Sequence, residues 1–142
     1  MAANVHYDDV EAGTSIGTRR YPISRLSLVK YCGASGDFNP IHWNERVAEQ
    51  AGLPDVIAHG MLTMAEAARL LTEWAGDPAA VVEYGVRFAK PVVVPDDDRG
   101  VEVAVSGTVT EKLGDKQVAI ELTATVGDVE VLSAAGAVVQ LS

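Results

Sequence analysis

A single cysteine, Cys32, serves the whole 142-residue chain, so an internal disulfide is excluded. Positive charge is scarce too: 11 Lys and Arg stand against 20 Asp and Glu, a net charge of -9. Nucleic acid is a poor partner for such a surface, because phosphate contacts need clustered cations. No apolar run reaches the roughly 20 residues of a membrane-crossing helix. The opening MAANVHYDDVEAGT has neither the basic start nor the apolar stretch of a signal peptide. Internal repeats and low-complexity linkers are missing as well. The expectation is one soluble, cytoplasmic domain over residues 1–142, long enough to bury about 70% of its unfolded surface.

What is present changes texture near residue 78. Before it, Ile16 to Tyr21 reads as a short strand closed by Pro22, after a polar lead-in over residues 1–14. Ser24 is a candidate cap for a helix ending near Gly33 or Gly36, and Asn44 for a short one running through Gln50. The run from Ile57 to Leu71 is rich in Ala, Leu and Met and carries no charge between His59 and Glu66. It predicts a helix over about 59–74, apolar nearly all round and therefore buried, broken by Gly76-Asp77-Pro78. After residue 78, Val81 to Phe88, Val101 to Val109, Val118 to Val126 and Val129 to Leu141 read as strands. Their period-two alternation and short turns predict an antiparallel sheet with one face covered, and the apolar helix is the element to cover it. The fold class is α+β.

The chemistry-bearing stretch is Gly36-Asp37-Phe38-Asn39-Pro40-Ile41-His42. In a continuous helix, Asp37 and His42 would point roughly 140° apart. Pro40 forbids that helix and pushes Asn39 towards an extended conformation, so the segment is a bend that aims both side chains at one point. An acid beside an imidazole suits proton removal next to a carbonyl, coupled to loss or gain of water. An isolated Asp and His at this spacing also fits a surface turn with a structural histidine. The second element is His59-Gly60-Met61 at the predicted helix start. Unpaired backbone amides there, with Gly60 allowing close approach, would stabilise an enolate oxygen. Packing alone could equally demand a small residue at position 60.

Taken together, GDFNPIH followed by AHGM at a helix start resembles the MaoC-like, or hydratase-2, family of hot-dog proteins, over nearly the whole chain. Tyr31 upstream, Ser35 before Gly36 and Ala48 six residues past His42 fit the motif's edges, whereas Ala34 stands where a larger aliphatic is common. The stretches SGDFNPIHW, IAHGMLTM and WAGDPAAVVEYGVRF are similar to the catalytic subunit of actinobacterial (3R)-hydroxyacyl-carrier-protein dehydratases. The resemblance implies a single hot-dog, a long antiparallel sheet wrapped around a central helix. It implies reversible syn elimination of water from (3R)-hydroxyacyl thioesters in fatty-acid elongation. Asp37 and His42 would be the catalytic pair, the Gly60 amide would polarise the thioester carbonyl, and Asn39 would hold the loop. Apart from the resemblance, His59 reads as a brace of the loop or a cap of the helix rather than a third catalytic group, and Thr63 either hydrogen-bonds near the site or bonds within its own helix. No cofactor and no metal are implied.

The implied partners are an acyl-carrier-protein or coenzyme A thioester and a second hot-dog subunit, the same chain or a different one. A charge of -9 repels acidic carriers. Arg87 with Lys90, and Arg19 with Arg20, are therefore candidates for a local basic patch, unless they are solvated strand ends. Alternative readings are a homodimeric (R)-specific enoyl-CoA hydratase of catabolism, a non-catalytic acyl-thioester binding module, and a thioesterase, which this loop suits poorly. Cys32 reads as a packed side chain, Trp43 and Trp74 as core or interface residues, and Asp96-Asp97-Asp98 as a solvated turn. The three histidines are scattered in sequence and suggest no zinc set.

Overall fold

The computed structural model describes residues 3–142, which leaves the first two residues of the lead-in outside the described residues. In chain order they form β1 (Ser15–Ile23), α1 (Arg25–Ser35), α2 (Glu45–Gln50), α3 (Gly60–Ala75), β2 (Val81–Phe88), β3 (Val101–Lys112), β4 (Gln117–Val126) and β5 (Val129–Gln140). The alternating sequence pattern after residue 100 produces β3, β4 and β5 as antiparallel neighbours, with Val105 opposite Ala124 and Ile120 opposite Ala137. Joined by β1 and β2, they complete one antiparallel sheet of order β1-β3-β4-β5-β2. The covered face holds α3, and the architecture is the α+β hot-dog arrangement.

Two expectations need correction. β1 does not stop before Pro22 but runs on to Ile23. It is an edge strand, where a residue without an N–H breaks no ladder bond as long as that side faces away. Nor is α3 buried all round. Leu62, Thr63, Ala67, Leu70, Leu71 and Ala75 are buried, whereas Met61, Ala65, Arg69 and Glu73 form an exposed stripe at four-residue spacing. The many alanines made the helix look apolar on every side, but one face suffices to fill the sheet. Leu70 and Leu71, almost fully buried against Val103, Val105 and Val109 in the same core, each contribute about 1.5–3 kcal/mol.

The lead-in is tied down. The Asn4 amide donates to the Ala75 carbonyl (2.8 Å) and the Tyr7 amide to the Ser142 carbonyl (3.0 Å). A short pairing that the sequence did not announce fixes the approach to α3. The Ala58 amide donates to the Val92 carbonyl (2.8 Å) and the Val94 amide to the Val56 carbonyl (3.0 Å). Val56, Val92 and Val94 are all buried there. This strap holds residues 56–58 extended and delivers His59 and Gly60 to a fixed place.

Candidate active site

α1 ends because Gly36 takes the left-handed conformation (φ 74°), and the chain reverses into the acidic loop. The loop's own polar groups then lock it. The Asp37 amide donates to Ser35 Oγ (3.1 Å), the Asn39 amide to Asp37 Oδ1 (3.1 Å) and the Ile41 amide to Asn39 Oδ1 (3.3 Å). Asn39 is extended (φ -53°, ψ 123°), as a residue before proline should be, and Pro40–His42 form one tight 3-10 turn. The Trp43 indole N–H closes the loop on the Phe38 carbonyl (3.0 Å).

His42 is buried, and its Nδ1 lies 2.7 Å from the Ile57 carbonyl oxygen. A carbonyl only accepts, so Nδ1 carries the proton and Nε2 keeps its lone pair. That Nε2 lies 3.9 Å from Asp37 Oδ2. Burial pushes the His42 pKa below its ordinary value and the neighbouring His59 lowers it further, against the Ile57 carbonyl and the Asp37 carboxylate, which raise it. The imidazole is therefore a free base at neutral pH. Asp37 is half exposed, which leaves the side of its carboxylate open to a water or hydroxyl.

A cleft of about 310 Å³ opens beside this pair, lined by His42, Gly60, Thr63, Phe88, Lys90 and Leu132 among others. Gly60 is the first residue of α3, so its amide is one of those a helix leaves without an intrahelical partner. A Cβ at this position would lie 3.1 Å from the Phe88 ring, so that ring packs closely on the helix start along one wall of the cleft. Thr63 is buried, and its hydroxyl sits 3.5 Å from the His59 carbonyl. The structure thus brings His42, Gly60 and Thr63 to one cavity, with Asp37 outside its lining but 3.9 Å from His42 Nε2. Asn39 stays in the loop as a brace.

His59 holds the N-cap position of α3 but makes no side-chain capping bond. Its Nε2 lies 3.0 Å from the Asp37 carbonyl oxygen, and its ring stacks on His42 (centroids 3.8 Å apart, planes at 21°). Two of the three histidines are therefore close neighbours, contrary to their scatter in sequence. With Asp37 they place three possible metal-ligand atoms within 4.8 Å of one another. Each ring already has one nitrogen against a carbonyl, His42 Nδ1 on Ile57 and His59 Nε2 on Asp37. Cys32 is buried, 3.6 Å from His59 Nε2, and burial pushes its thiol pKa up, away from nucleophile chemistry.

Of the candidate cations, Arg19 lies 3.9 Å from Glu73 and Arg20 3.5 Å from Glu102, whereas Lys90 lines the cleft. Phe88 was the residue that sequence reasoning missed. It ends an ordinary-looking strand, and only the packing against Gly60 reveals it. The Asp triplet behaves as a turn, with Asp97 Oδ1 accepting from the Arg99 (2.9 Å) and Gly100 (2.6 Å) amides.

Residues 9–127 match the model of the MaoC like domain. The chain is 33% identical over 122 residues to an (R)-specific enoyl-CoA hydratase of Rhodospirillum rubrum, which covers 85% of this chain and 81% of that protein. It is 44% identical over 73 residues to the 3-hydroxyacyl-thioester dehydratase X of Mycobacterium tuberculosis, a match to 51% of this chain and only 25% of that longer protein. A solved MaoC-like dehydratase superposes with a TM-score of 0.92 at 38% identity, over 96% of this chain and 42% of the other. The chain therefore spans less than half the length of two of these three proteins.

Proposed function

The chain belongs to the MaoC-like domain family, and from that premise we propose that it is a hydro-lyase interconverting (3R)-hydroxyacyl thioesters and trans-2-enoyl thioesters. The observation that carries this reading is the unprotonated Nε2 of His42, 3.9 Å from the Asp37 carboxylate, on a cleft that the α3 N-terminus also lines. In the dehydrating direction His42 Nε2 takes the C2 proton. The Gly60 amide holds the carbonyl oxygen as it becomes an enolate. The C3 hydroxyl, held by Asp37, leaves with that proton as water, so no outside acid is consumed. Hydration is the same path reversed. Residues 1–142 act in this reading as one hot-dog domain.

The finer proposal is a HadB-type catalytic subunit working on carrier-bound chains in fatty-acid elongation, beside a second hot-dog subunit in the cytoplasm. Its support is the outer edge of β2, where Val82 and Phe88 are exposed beside Glu83 and Arg87, and Met61 of α3 is exposed too. Lys90 would meet the carrier's phosphate. A homodimeric (R)-specific enoyl-CoA hydratase is the second reading, favoured by the similarity to the Rhodospirillum enzyme along most of both chains.

Hydration of crotonyl-CoA tests the assignment. Asp37→Ala is expected to lose roughly 10²–10⁴-fold in kcat, the usual worth of an acid/base group. Full activity in that variant sinks the reading. Proton exchange at C2 that survives His42→Ala but vanishes in Asp37→Asn would instead exchange the two roles.

A further inference from the structure

We propose that His59 is a positioning residue for this reaction, holding the Asp37 main chain with the edge of its ring and the His42 imidazole with its face. The inference rests on the hydro-lyase reading above and adds a residue that does not line the cleft.

Three observations meet in one side chain. First, the Asp37 carbonyl can only accept, so the 3.0 Å contact fixes the proton on His59 Nε2. Second, His59 is 2% exposed and its Nδ1 is buried without a hydrogen-bond partner among the described residues. A proton on Nδ1 would be an unpaired buried donor, so the geometry places the proton on Nε2. Third, the ring lies flat on His42 at 3.8 Å, with Tyr31 edge-on behind it at 4.7 Å. His59 therefore cannot rotate without losing one of its contacts.

The consequence is a link between the two reactive side chains. The other hydrogen bonds of Asp37 among the described residues stay within its own loop, to Ser35 and Asn39. The bond from His59 is what ties Asp37 to the start of α3, and the same ring covers one face of His42. The titratable and charged groups around His42 are the Asp37 carboxylate, His59, Cys32 and Tyr31 beyond it, and Lys90 on the cleft. Since burial is the chief cause of the low His42 pKa, thinning the side chain at position 59 should admit water and let that pKa rise towards its ordinary value.

Imidazole ¹⁵N spectra of the wild-type protein and kinetics of two variants test this. The spectra should show the His59 proton on Nε2, the nitrogen that meets the Asp37 carbonyl. His59→Asn ends short of the Asp37 carbonyl and is expected to lose about 10–100-fold in kcat. Its KM should stay within about threefold, and the acidic limb of its kcat/KM profile should move to higher pH. His59→Gln places an N–H where Nε2 was and should recover most of kcat while keeping the shifted limb. A purely structural role would lower the melting temperature and leave the limb in place. The proposal is overturned if His59 carries its proton on Nδ1 rather than Nε2. It is overturned as well if folded His59→Asn matches wild type in kcat and pH profile, or if folded His59→Gln is as slow as Asp37→Asn. Wild-type activity in Asp37→Asn would strike the reaction assignment instead, and the spectra would still decide the clamp.

Discussion

A methyl group on Gly60 would separate two jobs of the helix start. Alanine is the better helix former by about 1 kcal/mol, so Gly60→Ala should hold or raise the melting temperature. The added carbon meets only the Phe88 ring, and that ring is more than half exposed and free to tilt away. Gly60 and Phe88 both line the cleft, however, so the methyl and the displaced ring would crowd the proposed carbonyl site, and kcat/KM for crotonyl-CoA should fall about 10–100-fold. Paired melting and rate measurements check both halves. A loss of stability in step with the loss of rate would mean that packing, and not the amide, is what glycine serves here.

At the scale of elements, the end of α1 matters most, because it aims the reactive loop. Gly36 is left-handed and its missing Cβ faces open space, so Gly36→Ala pays only backbone strain, about 1–2 kcal/mol. The melting temperature should drop by about 3–6 °C, and Gly36→Asn should recover part of it, since Asn tolerates that conformation. Thermal unfolding of the three proteins is the check. Helix ends of this kind were readable in advance, because Ser24, Asn44, Gly36 and Gly76 act through neighbours one to four residues away. The strands were readable for the same reason, each carrying its own period of two. The strap between Val56–Ala58 and Val92–Val94 was not, because three-residue pairings across more than thirty positions leave no periodic trace. Asp37 and His42 stood out by their shared loop, but the stacking of His59 on His42 depends on where that strap delivers α3, and sequence spacing does not encode it.

At the scale of the whole molecule, β1 and β2 are the two edges of the sheet, and they are treated differently. β1 carries Arg19, Arg20 and Pro22, devices that discourage pairing, whereas β2 has Glu83 and Arg87 but no proline and exposes Val82 and Phe88 as well. Assembly is therefore expected along β2. Where the second subunit is another copy of this chain, Val82→Lys should leave the fold intact and shift the sedimenting species to the 15.0 kDa of one chain. Phe88 closes that strand and also leans on Gly60, so one residue belongs to both the edge and the cleft. Whatever pairs along β2 steadies the wall of the cavity at the same time. Turnover per chain should then fall on dilution, and fall sooner in Val82→Lys, which activity measured across protein concentration would reveal. An enzyme built this way carries its own abundance in its rate law, with velocity rising faster than first order in chain until the edge is filled.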